Sequence, residues 1–170
     1  MEKEITYVFI DSQNLNMSIM EQGWELDFYK FYIYLKDRFK ISKAFLFIGF
    51  IDQNISLYKQ LSSIGYKLIF KLVINNKDKV KGNVDAELVL QAMIEFNNYD
   101  KAIIVSGDGD FYCLIDYIEK NKKLLRLIIP NKYKYSSLLK SFYGQITFLN
   151  NMRHKLNKNE GHELRTKPFV

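Results

Sequence analysis

A single cysteine, Cys113, stands in a chain of 170 residues, so no internal disulfide can form, and a reducing cytoplasm is the expected compartment. Histidine is nearly as scarce: His154 and His162 both lie beyond residue 150. Residues 1 to 150 therefore hold neither a Ser-His-Asp or Cys-His nucleophile system nor a Cys/His zinc site. Any chemistry in that body must use carboxylates and a hard cation with oxygen ligands. No apolar run exceeds the length of a strand, so no membrane span is expected. Met1-Glu2-Lys3-Glu4 is acidic and leads straight into an apolar run, unlike a signal peptide. Neither an internal repeat nor a low-complexity linker occurs.

The composition is globular, with 48% hydrophobic and 26% charged residues, and the length suits one domain with a substantial core. A formal net charge of +6 and a pI of about 9.2 permit a polyanionic partner, and equally fit a solubilising surface. Half of that excess lies in residues 151–170, where Arg153, Lys155, Lys158, Arg165 and Lys167 outnumber Glu160 and Glu163. Apolar periodicity stops near Asn150, so the expected organisation is a domain over 1–150 and a basic, flexible tail over 151–170.

Within the domain, apolar runs and helical stripes alternate. Strands are expected over residues 5–10, 44–50, 67–73, 101–106, 124–129 and 145–149. Helices are expected over 26–39, with Asp27 as N-cap, and over 53–64, with Gly65 as C-cap. Further helices are expected over 84–97, from Phe111 onward and over 136–142. Strands that alternate with helices and are apolar on both faces imply a parallel sheet covered on each side. The fold class is thus α/β.

The chemistry gathers where strands end. Asp11-Ser12-Gln13-Asn14 follows the first strand, and Ser106-Gly107-Asp108-Gly109-Asp110-Phe111 follows the fourth. In a sheet ordered 3-2-1-4-5 those strands are neighbours across the switch point, and their carboxyl ends face one crevice. Asp85 follows Lys81-Gly82-Asn83-Val84 at the head of the helix after the third strand, on the same side. Each acid alone has a plainer reading: Asp108 or Asp110 as a helix cap, Asp85 as a macrodipole partner, Asp11 as a loop residue. Asn14 suits either a supporting hydrogen bond or a turn. Together, four acids at one end of the sheet call for a divalent cation. Gly107 and Gly109 allow unusual backbone angles and close approach by a ligand there, and Ser106 can support the site.

Three blocks, residues 8–15, 81–85 and 104–111, resemble the NYN domain family, the LabA-like branch of the PIN-like nuclease superfamily, in order and spacing. The resemblance covers roughly residues 5 to 150. It implies a PIN-like three-layer α/β/α sandwich and a metal-dependent ribonuclease with an acidic Mg²⁺ or Mn²⁺ site. It implies Asp11, Asp85, Asp108 and Asp110 as the acidic set, with Asn14 in support. The chain departs at Ser12-Gln13, where the family often carries Gly-Glu.

Phosphodiester hydrolysis is accordingly the expected reaction, with single-stranded RNA the expected partner. Substrate contacts are expected from the Lys77, Lys79 and Lys81 loop, from Ser106, and from Lys132 and Lys134 interleaved with Tyr133 and Tyr135. The alternatives are a PIN-like module that binds RNA or protein without cutting, and a phosphatase using the same acids. Aromatics over 29–34 offer a homodimer contact.

Overall fold

The computed structural model describes residues 3–71 and 85–159. Its centre is a sheet of six parallel strands in the order β3-β2-β1-β4-β5-β6. These are β1 (Thr6–Asp11), β2 (Lys43–Gly49), β3 (Tyr66–Lys71), β4 (Lys101–Val105), β5 (Leu124–Ile129) and β6 (Ile146–Phe148). β1 is buried along its whole length, as a central strand with helices on both faces must be. Register puts Phe9 opposite Phe45 on β2 and Ile104 on β4, and the rings of Phe9 and Phe45 stack 5.3 Å apart. The anticipated order of five strands stands, with the sixth continuing in parallel beyond β5.

The helices divide between the two faces. α1 (Ser12–Met20), α2 (Phe28–Phe39) and α3 (Ile55–Ile64) bury Leu15, Ile19, Phe31, Leu35 and Leu61 against Val8, Ile10 and Leu46. α4 (Asp85–Ile94) and α5 (Tyr112–Lys120) bury Leu88, Ala92, Ile115 and Ile118 against Tyr7, Phe9 and Ile104. Asp27 caps α2 by accepting from the N–H groups of Tyr29 and Lys30, and Gly65 ends α3 at φ +126°. Where a short α-helix was expected over 136–142, residues Ser137–Gln145 wind as a 3₁₀ segment that kinks at Phe142.

Two differences from the sequence reading matter. α1 was not expected, because only Leu15 and Ile19 of its apolar residues are buried, while Met17 and Met20 are exposed. That stripe is too narrow to stand out by periodicity. Residues 151–159 are also not a loose tail. A one-turn helix, α6 (Arg153–Leu156), buries Leu156 on the α2 side, and Asn157 bridges Leu26 in antiparallel fashion. The Asp27 N–H donates to the Leu156 carbonyl at 2.8 Å. Residues 160–170 lie outside the described residues. No helix among the described residues is long and apolar enough to cross a membrane.

Candidate functional site

The carboxyl ends of β1 and β4 form the floor of the site. β1 ends on Asp11, whose extended backbone and carboxylate cap α1: the Asn14 N–H donates to Asp11 Oδ1 at 3.1 Å. Asn14 in turn accepts the Gly107 N–H at 2.9 Å, tying the head of α1 to the loop after β4. In that loop the Ser106 hydroxyl donates to Asp11 Oδ2 at 3.1 Å and accepts from the Asp108 N–H at 3.1 Å. Asp108 then caps a 3₁₀ turn by accepting from the Asp110 N–H at 2.9 Å. A chain of short polar contacts thus runs Asp11, Ser106, Asp108, Asp110.

Across the crevice, the first turn of α4 presents Asp85. One carboxylate oxygen from each of Asp85, Asp108 and Asp110 lies within 4.8 Å of the others. Asp85 and Asp108 are half-buried and Asp110 is exposed. Asp11, outside this trio, is buried at 4% exposure with both oxygens engaged. Burial pushes its carboxyl above the ordinary 3.8; the bonds from Asn14 and Ser106 oppose the rise, and the nearby Asp108 charge adds to it. Three acids expected as ligands therefore converge directly, while the fourth reaches them through Ser106.

The glycines have a different reason from the one anticipated. Neither Gly107 nor Gly109 has positive φ. A Cβ on Gly107 would sit 3.1 Å from Tyr135 Cβ, and one on Gly109 would meet Ser136, 2.8 Å from its Cβ. The two glycines admit the protein's own 134–136 segment, held by the Ser136 N–H donating to the Gly107 carbonyl at 3.0 Å. That segment brings the exposed Lys132, Tyr133 and Lys134 to the rim. The Lys132 ammonium lies 4.9 Å from the centroid of the Tyr133 ring, and Lys134 pairs with Glu21 at 3.1 Å. Tyr133 is 80% exposed, which leaves ring surface beyond the Lys132 contact open to a stacking partner. Lys77, Lys79 and Lys81 lie outside the described residues. Among the aromatics over 29–34, Tyr29 is exposed and Phe31 is fully buried.

With this arrangement in view, the comparisons with known proteins decide the family. The NYN domain model matches residues 5–150. The chain belongs to the NYN domain family. It is 25% identical over 174 residues to "Low amplitude and bright protein LabA" of Synechococcus elongatus, covering 96% of this chain and 91% of that protein. In fold it is similar to the crystal structure of a protein of unknown function from Vibrio parahaemolyticus. That likeness has a TM-score of 0.76 at 22% identity, over 89% of this chain and 98% of the other.

The NYN domain carries two further polar groups at this end of the sheet that the sequence reading passed over. Lys71, the last residue of β3, is 8% exposed, and its Nζ has no hydrogen-bond partner among the described residues. Glu87, in the first turn of α4, has a buried Oε2 that also lacks one among them. Lys71 ends an apolar strand, where a cation at a buried position was the available signal. Glu87 looked like ordinary first-turn acid.

Proposed function

We propose that this NYN domain is a metal-dependent ribonuclease, with Asp85, Asp108 and Asp110 as its cation ligands. The observation that carries the reading is the convergence of those three carboxylates within 4.8 Å. Donors around one octahedral Mg²⁺ lie within about 4.2 Å of each other, so the spacing suits such an ion after small side-chain closure. The donor set is all oxygen, as Mg²⁺ or Mn²⁺ prefers, and Glu87 Oε2, without a hydrogen-bond partner among the described residues, is a further acceptor in the same helical turn. A divalent cation held there supplies Lewis acidity to a phosphate oxygen and eases deprotonation of water.

The chain's own groups supply the rest. Asp11 is a positioning residue: through Ser106 it fixes the Asp108 backbone, and Asn14 fixes Gly107. Lys132 and Lys134 offer charge to a phosphate backbone, and Tyr133 offers a stacking face to an unpaired base. Lys79 and Lys81 complete the proposed substrate contacts. Hydrolysis adds water across one P–O bond and leaves a phosphate on one fragment and a hydroxyl on the other.

Incubating the full chain with labelled single-stranded RNA and Mg²⁺ or Mn²⁺ tests this. The expected result is cleavage that a chelator abolishes and that Asp108→Asn lowers at least about a hundredfold. Tight RNA binding by both proteins with no cleavage by either would replace the nuclease with a binding module. Hydrolysis of a small phosphomonoester but not of RNA would make it a phosphatase.

A further inference from the structure

Side chains alternate along a strand, so Lys71 faces the side that Ile69 faces two residues earlier. Ile69 packs into the core with Phe9, Phe47 and Leu88. Asp11 and Ser106 continue that same face, two residues beyond Phe9 and Ile104. Lys71 therefore lies on the carboxylates' side of the sheet and at their end of it, yet β2 and β1 separate β3 from β4.

α4 crosses this end. Its Glu87 and Gln91, with Glu95 just past its end, share one flank at helical spacing. Glu95 acts electrostatically on Lys43, the first residue of β2. Two turns nearer the head of the helix, Glu87 is carried toward the far end of β2, where Gly49 is the register partner of Lys71. Lys71 and Glu87 thus fall on the same flank of the fold, and neither Lys71 Nζ nor Glu87 Oε2 has a hydrogen-bond partner among the described residues. A buried ammonium without an acceptor is costly, and an anion entering the crevice removes that cost.

We propose that Lys71 contacts a substrate phosphate, namely the one neighbouring the scissile phosphate on an RNA strand lying across the carboxylates. The neighbouring phosphate is specified because three strand spacings, about 14 Å, separate β3 from β4. That exceeds the reach of a lysine side chain. The inference rests on the nuclease reading and adds a subsite to it.

The test measures binding of labelled single-stranded RNA in Ca²⁺ by fluorescence anisotropy across a salt series, beside the cleavage assay. Lys71→Met is expected to weaken binding at least about tenfold and to lower the magnitude of the salt slope by about 0.7, one phosphate contact on a single strand. Lys71→Arg, which keeps the charge, is expected to stay within about threefold of wild type. Cleavage by wild type, with unchanged affinity and salt slope in Lys71→Met, would overturn the role of Lys71 and leave the nuclease intact. A wild type that neither binds nor cleaves RNA would overturn both.

Binding without cleavage, weakened by Lys71→Met, would uphold the subsite and overturn only the catalysis. A purely structural Lys71–Glu87 pair gives another pattern. Lys71→Met and Glu87→Gln would each lower the melting temperature, the double variant would recover it, and RNA affinity would not change. That pattern would overturn the inference.

Discussion

Asp11 shows how one residue can serve a site without touching its centre. Its carboxylate is buried, caps α1 and takes the Ser106 hydroxyl. Burial, partly offset by those bonds and reinforced by Asp108, raises its folded pKa above 3.8. Ionising Asp11 in the folded chain therefore costs stability. The cost is absent below pH 3.8, grows as pH rises through the raised pKa, and is complete above it. Asp11→Asn keeps a cap oxygen and loses the charge. In chelator, its stability at neutral pH is expected to equal or exceed that of wild type, with the advantage vanishing in acid, while cleavage falls. Denaturant unfolding at both pH values checks this; a variant weaker only at neutral pH would contradict it. At this scale the sequence was partly legible. The acids stood out as residues ending apolar strands, but nothing in their spacing separated a direct ligand from one acting through a serine. Lys71 was hidden because a lysine within an expected strand usually marks its solvent face.

At the scale of elements, the loop after β4 is shaped from outside itself. Gly107 and Gly109 are glycines because Tyr135 and Ser136 press on them, not because the backbone needs left-handed angles. That reason depends on a segment nearly thirty residues away, which local sequence cannot reveal. Gly109→Ala would drive a methyl into Ser136, 2.8 Å from its Cβ, and overpacking of this kind costs about 1–3 kcal/mol. Because the same turn carries Asp108 and Asp110, cation affinity is expected to fall with stability, and adding Ser136→Gly is expected to recover part of both. Calorimetric melting of the single and double variants checks it, and an unperturbed Gly109→Ala would contradict it. The capped helices were easier to read. Asp27 and Gly65 are local signals with local mechanisms, whereas α1 buries only the apolar pair Leu15 and Ile19.

For the whole molecule, parallel strands made the topology legible, since apolar runs separated by helices leave few arrangements of a doubly covered sheet. That arrangement set the carboxyl ends of β1 and β4 side by side, and hence the site. The seat of residues 151–159 was not legible, because it depends on one buried leucine, Leu156, and on main-chain bonds to residues 25–27. The central claim is that Asp85, Asp108 and Asp110, drawn from two distant segments, make one cation site. Titrating Mn²⁺ into wild type and Asp85→Asn, with free Mn²⁺ followed by electron paramagnetic resonance, tests it most directly. Saturable binding by wild type that Asp85→Asn weakens at least about tenfold is the expected result. No binding by wild type, or equal binding by both, would contradict it.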